Sequence, residues 1–342
     1  MLPPWWCGFA LCLFLPMSTL AFLATGPHGA GAALAWTLPV WLLILADHFG
    51  PDERRLVPAT APRGFFDGLL YALVALQVLN VLGLGHLAAS LTWMSGAEVG
   101  TSLVNLLALR ILMGTNSCCA AIAPAHELIH RRQRWQRWLG RLLLVTVGYD
   151  HFYVAHRLGH HARLGSGGDP STAEVGEGYG AFYRRSCLSQ WRIAWRYEPR
   201  ATWQGLAVEL ALLAGFGWAF GPLAAFMLMY QAVVAVRLLE AVNYFQHYGL
   251  TVASGRAGAT AWRTDSAVSL FLFLGLSRHA DHHRRPAAPY PELRVLEDEG
   301  PVLPYGYLGM ALWVKNRCGD YRRWAVGRLG MTGAGEGLRN PV

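Results

Sequence analysis

The sequence predicts an all-α integral membrane protein of six transmembrane helices with a histidine-rich cap on one face. Three observations carry that expectation. Of 342 residues, 54% are hydrophobic and 15% charged, and the mean hydropathy is +0.27, against about 25% charged in an ordinary soluble domain. Six apolar runs are long enough, once paired, to cross a bilayer. Nine of the 13 histidines fall in four tight clusters.

From Met1 to Ala46 there is no Asp, Glu, Lys or Arg, so the basic start of a signal peptide is missing and a retained anchor is expected. Residues 5–25 span about 30 Å of hydrocarbon, and residues 30–46 form a slightly short second span after the turn residues Gly26, Pro27 and Gly29. Residues 68–91 are uncharged and residues 99–125 carry only Arg110, which predicts a second hairpin. The apolar stretch from Trp203 to Tyr244 is about twice the bilayer thickness at 1.5 Å per residue. It must fold back near Gly215, Gly217, Gly221 and Pro222, giving spans at 203–219 and 221–244 with Glu209, Arg237 and Glu240 near ends where they reach the interface. Residues 139–148 are apolar but too short to cross and read as interfacial or buried.

Six spans put both termini on one side. The loops 26–29, 88–97 and 215–222 hold no Lys or Arg, whereas the opposite loops hold Arg54, Arg55, Arg63, Arg131, Arg132, Arg134, Arg137, a series from Arg157 to Arg200, and the tail from Arg256. The positive-inside rule makes that side cytoplasmic, and all four histidine clusters lie there, so residues 126–202 and 245–342 form a cytoplasmic cap on a single membrane domain. The net charge of +8, carried by arginine with Lys315 the lone lysine, suits phospholipid headgroups or an acidic electron carrier. No nucleic-acid-binding motif accompanies it. The six cysteines form no C-x-x-C pair, so there is no cysteine iron site of the chain's own and any electrons come from another protein.

The first cluster is His126-Glu127-Leu128-Ile129-His130, whose i, i+4 imidazoles share one helical face and can grip a metal. Alone it also reads as a zinc metalloprotease with Glu127 as general base, a reading that leaves the other clusters without a role. The second is His156-Arg157-Leu158-Gly159-His160-His161 and the third His279-Ala280-Asp281-His282-His283. In each, two histidines share a helical face while the adjacent one points about 100° away, so one segment can feed two metals or brace one. His247 closes the sixth span. Nine nitrogen donors exceed one tetrahedral zinc and suit a di-metal cap of coordination number about four to six, in iron, copper or zinc. A metal transporter is disfavoured because few polar groups lie at mid-membrane. His28, His48, His86 and His151 lack the patterning, although His151 lies near His156.

The constellation resembles the integral-membrane fatty-acid desaturase and hydroxylase superfamily, and more narrowly the alkane 1-monooxygenase family. The matching segments are 126–130 (HELIH), 156–161 (HRLGHH), 169–177 (DPSTAEVGE), 243–250 (NYFQHYGL), 276–283 (LSRHADHH) and 303–309 (LPYGYLG), in order between about Asp47 and Met310. The resemblance implies two iron ions cycling between Fe2+ and Fe3+ and held by His126, His130, His156, His160, His161, His247, His279, His282 and His283, with O2 as co-substrate. It implies a rubredoxin or ferredoxin as electron donor, with its NAD(P)H reductase, in a bacterial cytoplasmic membrane. The substrate is a hydrophobic molecule, such as a medium-chain alkane, hydroxylated at its terminal methyl. Glu127, Asp169, Asn243, Asp281 and His151 are the residues expected to orient these ligands from behind. The chain departs from the family at Ala155 and Gln246, where glutamate is usual, and at Ala261-Trp262-Arg263, where a His-x-Trp-Asn element is eroded. All nine ligand positions stand, so the departures bear on the substrate, with an alkyl-aromatic methyl or a fatty acyl chain as the alternatives to an alkane and desaturation or decarboxylation as alternative outcomes.

Overall fold

A computed structural model describes residues 3–251, 260–296 and 300–331. Arg256 and the end of the tail lie outside the described residues. Helix dominates, and the only β contacts among the described residues are two isolated bridges, Asp52 with Ser266 and Arg263 with Val302. Six helical segments are long and apolar enough to cross a membrane: Trp5–Thr25, Ala30–Phe49, Arg63–Ser90, Gly96–Ile129, Pro199–Phe220 and Pro222–His247. The protein is an integral membrane protein.

Each helix boundary has a local cause. Gly26 and Pro27 separate the first two spans, and Ser95 caps the fourth by accepting from the Glu98 amide. Gly221, at φ +88° with Pro222 behind it, turns the fifth span into the sixth, a backbone conformation that suits only glycine. The sixth span packs against the third, fourth and fifth, and the first packs against the third. Helix faces left outside this core, including Leu42, Leu79, Leu103, Leu210 and Val233, are exposed as lipid-facing surface must be.

Because the chain crosses alternately, the C-terminal ends of the second, fourth and sixth spans share one face. Asp47, the 126–130 segment and His247 therefore meet there. Asp47, only 3% exposed, is the fastener: Oδ1 accepts from the Ser266 hydroxyl at 2.6 Å and the Ser269 hydroxyl at 2.7 Å, and Oδ2 from the Leu308 amide at 2.8 Å. Ser269 in turn accepts from the Tyr307 amide. One carboxylate thus joins the second span to helices Ala267–Leu272 and Tyr307–Asn316, which flank the third histidine cluster. Gly306 permits the approach, since a Cβ there would lie 1.9 Å from Asp47 Oδ1. Asp47→Ala strands three buried donors and is expected to destabilise the protein by about 2–4 kcal/mol, read as a lowered midpoint of thermal unfolding in detergent with loss of bound metal.

The apolar segment at 139–148 forms the end of helix Arg134–Val145 and the turn after it, with Trp135, Trp138 and Leu142 on the helix's exposed side. Glu240 corrects an expectation. Rather than reaching the interface it is fully buried and accepts from Ser186 Oγ at 2.7 Å, Gln190 Nε2 at 2.8 Å and the Tyr149 hydroxyl at 3.1 Å. Helix Tyr179–Tyr197 lies over this end of the sixth span and supplies two of those donors, so a polar network replaces water. Arg237 is exposed, as its position near the end suggested.

Candidate metal centre

Four elements deliver nine imidazoles to one place. The fourth span ends in Ala123–Ile129 after a π-helical turn at Cys118–Ile122, and brings His126 and His130. The second cluster lies on a π-helix, Ala155–His160. The third lies on the short helix His279–Arg284, and His247 ends the sixth span. Gly275 sets the third helix's entry: its φ is +77°, and a Cβ would meet the Tyr290 carbonyl at 3.0 Å.

The rings sort into two groups. His126, His130, His156, His161 and His282 form one; His160, His247, His279 and His283 form the other, with the donor atoms of each group within 4.8 Å of one another. The groups adjoin, His161 and His283 having ring centroids 4.6 Å apart. The second cluster departs from the sequence expectation. On an α-helix His156 and His160 would share a face; here the His161 amide bonds the His156 carbonyl, five residues back, and π winding stacks residues five apart. His156 therefore joins His161, and His160 turns to the other group. In the third cluster ordinary α winding keeps His279 with His283 and sends His282 across.

The donor set has the geometry of a metal site. Within the first group, His161 Nε2 lies 3.0 Å from His156 Nε2 and 3.2 Å from His282 Nε2; within the second, His283 Nε2 lies 3.0 Å from His279 Nε2 and 3.2 Å from His160 Nε2. The Nε2 atoms of His126, His130 and His247 are buried with no hydrogen-bond partner among the described residues. Where the far nitrogen is engaged, the tautomer is set: His160 Nδ1 donates to Asp169 Oδ1 at 2.8 Å and His247 Nδ1 to the Thr260 carbonyl at 3.0 Å. Their Nε2 lone pairs then converge, an arrangement that a cation makes attractive. Burial, assisted by Arg157 and His160, pushes the His130 imidazole down to about 3. Burial, with neighbouring rings adding to it, likewise holds His156, His161, His279, His282 and His283 below the ordinary histidine range. That lowering favours the neutral form of these six rings, the form that binds metal. The residues fit two metal ions.

Of the five residues expected behind the ligands, Asp169 is the one hydrogen-bonded to a ring of either group among the described residues. Its carboxylate also accepts from the Gly165 and Ser171 amides and from Thr172 Oγ1. Burial alone would raise its pKa, but the His160 and His247 rings and Thr172 more than offset that and bring it to about 2. Asn243 lines a cavity together with His126, His156 and His279. The others are placed elsewhere. Asp281 is taken by Arg285 and the Arg294 amide, which hold it below the usual carboxylate range despite burial. Glu127 is ion-paired with Arg131, Nε lying 2.8 Å from Oε1, and accepts from the Tyr290 amide at 3.3 Å, so its carboxylate is engaged away from the rings. His151 stacks on Trp191 at 4.1 Å and edges onto Tyr149 at 4.4 Å, in contact with neither group. Phe152 was not foreseen: it stacks on His156 at 4.7 Å, and its proximity in sequence to the second cluster was the only available signal.

The Ala155 and Gln246 departures have plain consequences. Ala155 is buried without a polar group, and Gln246 donates to the Tyr307 hydroxyl and the Leu276 carbonyl, linking the sixth span to the segment just ahead of the third cluster. Trp262 keeps a structural post, donating its indole N–H to the Tyr248 carbonyl.

The sequence that builds this site has known relatives. The family model for fatty acid desaturases matches residues 100–312, more than half of the chain and all nine histidines. The chain belongs to the fatty acid desaturase family. Within the family it is similar to alkane 1-monooxygenase 1 of Pseudomonas aeruginosa, at 32% identity over 79% of this chain and 74% of that one, which places it in the alkane 1-monooxygenase branch. Alkane 1-monooxygenase 1 of Alcanivorax borkumensis is 27% identical over 88% of this chain and 79% of its own length. The xylene/toluene monooxygenase hydroxylase component of Pseudomonas putida is 27% identical over 53% of each chain. In this desaturase-family chain the six apolar helices and the nine imidazoles occupy one fold, with the imidazoles at one end of the bundle.

Proposed function

We propose that the protein is a metal-dependent membrane monooxygenase that hydroxylates the terminal methyl of a hydrophobic chain such as a medium-chain alkane, with two iron ions held by the nine histidines. The observation that carries this is a largely apolar wall that abuts the rings: Cys118, Ile122, Phe152, Leu239, Val242 and Leu276, with Asn243 and Gln246, line a narrow cleft of about 20 Å³ that His126, His156 and His279 close, so a chain enters it only as these side chains move apart. A chain without polar groups has no other handle than such a wall. The balanced reaction converts R–CH3, O2, two electrons and two protons to R–CH2OH and water.

Iron at the two groups would supply the redox chemistry with O2. The protein's residues supply geometry and exclusion. Asp169 and the Thr260 carbonyl hold protons on Nδ1 of His160 and His247, so that Nε2 of each faces inward. Phe152 fixes the plane of His156. Helices packed around the cavity keep bulk water from the reacting carbon, which preserves the oxidant for the C–H bond. Electrons come from an external rubredoxin or ferredoxin, served by its NAD(P)H reductase, at the basic face. That face, and both termini, are cytoplasmic in a bacterial inner membrane.

Phe152 and Phe273 on the cavity wall, with the xylene/toluene relative, favour an alkyl-aromatic methyl as the second reading. Metal content of the detergent-purified protein, paired with O2 uptake on reduction with octane, p-xylene or a fatty acid, tests both. About two irons per chain with octane-stimulated uptake and 1-octanol as product is the expected result. Stimulation by p-xylene alone would select the second reading, and stoichiometric zinc without O2 uptake after iron reconstitution would overturn both.

A further inference from the structure

Away from the metal centre, a groove of about 430 Å³ lies between the fifth and sixth spans and the turn from Val145 to His151. Its apolar walls include Leu206, Leu213 and Leu228. On its open side Leu210, Met229 and Val233 are 54%, 47% and 49% exposed, in spans whose outer surface faces lipid. Its other end is polar, with His151, Tyr149 and Glu209. His151 is 3% exposed, and neither ring nitrogen has a hydrogen-bond partner among the described residues. The ring is nevertheless held in place, clamped between Trp191 and Tyr149. A buried imidazole with two unused nitrogens on the wall of an apolar groove is costly unless something polar visits it.

We propose that this groove binds a single-chain amphiphile with a hydroxyl head, a long-chain primary alcohol, with the hydroxyl hydrogen-bonded to His151 and the chain lying between the fifth and sixth spans. The volume suits one alkyl chain, and such sites are typically apolar with a few placed polar groups. A neutral imidazole offers one donor and one acceptor, and a hydroxyl is both. An anionic head would meet the Glu209 carboxylate, which already accepts from the Asp150 amide at 2.7 Å. Of the cations beside this end, Arg141 is committed to Asp150 and the Ala201 carbonyl, and Arg237 lies over the Tyr183 ring rather than beside His151. The product of terminal hydroxylation falls within this ligand class, yet the site is argued from the groove alone and its test does not need turnover.

The full-length protein in nanodiscs is labelled with a diazirine-bearing 1-dodecanol, a matched diazirine alkane, or a diazirine phosphatidylglycerol, and the adducts are mapped by mass spectrometry. The alcohol is expected to label residues 206–213 and 228–236, to be displaced by unlabelled 1-dodecanol, and to lose about fivefold or more of its labelling in His151→Phe. Val233→Trp, which fills the groove from the lipid side, is expected to reduce labelling similarly, and monodisperse elution of each variant controls for folding. The alkane probe is expected to label wild type and His151→Phe alike. Equal alcohol labelling of wild type and both variants overturns the proposal, as does labelling by the alkane or the phospholipid as strong as by the alcohol. A protein that lacks hydroxylase activity but shows the labelling pattern would refute the reaction and leave this site standing.

Discussion

His279→Ala is expected to abolish hydroxylation and to lower bound iron by about one ion per chain, with His130→Ala producing the same loss of activity but a smaller loss of metal. The asymmetry follows from the grouping. His279 belongs to a group of four donors, so its removal leaves three, whereas removing His130 leaves four of five. A metal that loses a nitrogen in a buried site has neither water nor a spare side chain to replace it, and affinity falls steeply. Both ions are needed for the proposed reaction, so either variant lowers turnover by about 100-fold or more. His28→Ala and His86→Ala serve as controls. His28 bonds the Phe22 carbonyl and stacks on Phe22, and His86 is exposed. Iron analysis of the purified variants with product quantification decides the matter. Wild-type iron in His279→Ala, or iron loss in either control, would remove the proposed ligand set.

Asp169→Ala is expected to cost about 10–100-fold in metal affinity although Asp169 touches no metal. Its carboxylate binds four donors at once: His160 Nδ1 at 2.8 Å, the Gly165 amide at 3.1 Å, the Ser171 amide at 2.9 Å and Thr172 Oγ1 at 2.6 Å. Alanine leaves all four without that acceptor in a buried place, each stranded group costing about 1–3 kcal/mol where water cannot enter. It also frees the His160 ring to carry its proton on Nε2, the nitrogen that faces the second group. Asp169→Asn retains an acceptor for Nδ1 but not the charge, and should fall between alanine and wild type. Iron titration against a competing chelator measures the order. Alanine and asparagine variants with wild-type affinity would show that the loop, rather than the carboxylate, orients His160.

Much of the molecule was legible because the relevant physics is local. A bilayer demands about 20 apolar residues per helix, and the hydropathy runs, the turn glycines and prolines and the single arginine in the fourth span all register that demand along the chain. The end of each helix was less legible: the second span runs to Phe49 and the fourth to Ile129, past the first charged or polar residues, because packing at the cap keeps a helix wound beyond the hydrocarbon edge. The nine histidines stood out for the same local reason, three clusters at spacings that a helix turns into neighbouring ligands.

Glu240 and Asp281 show where locality stops. A glutamate near the end of a span reads as an interfacial residue until Ser186, Gln190 and Tyr149, between 50 and 91 residues away in the chain, are seen to enclose it. Asp281 sits between two cluster histidines, yet Arg285 and the Arg294 amide claim it, while Asp169, outside every cluster, reaches His160.

The sequence by itself determined the membrane class, the number of spans, the shared face of the histidine clusters and the family to which they belong. Each of these depends on composition, on alternation of crossings or on residue type. Only the tertiary structure decided how nine rings divide into five and four, because that division depends on backbone winding and on helix packing. One π-helical stretch between Ala155 and His160 moves the partner of His156 from His160 to His161. Spacing in the sequence assumes an α-helix, and a change of about one residue per turn is enough to send an imidazole to the other group.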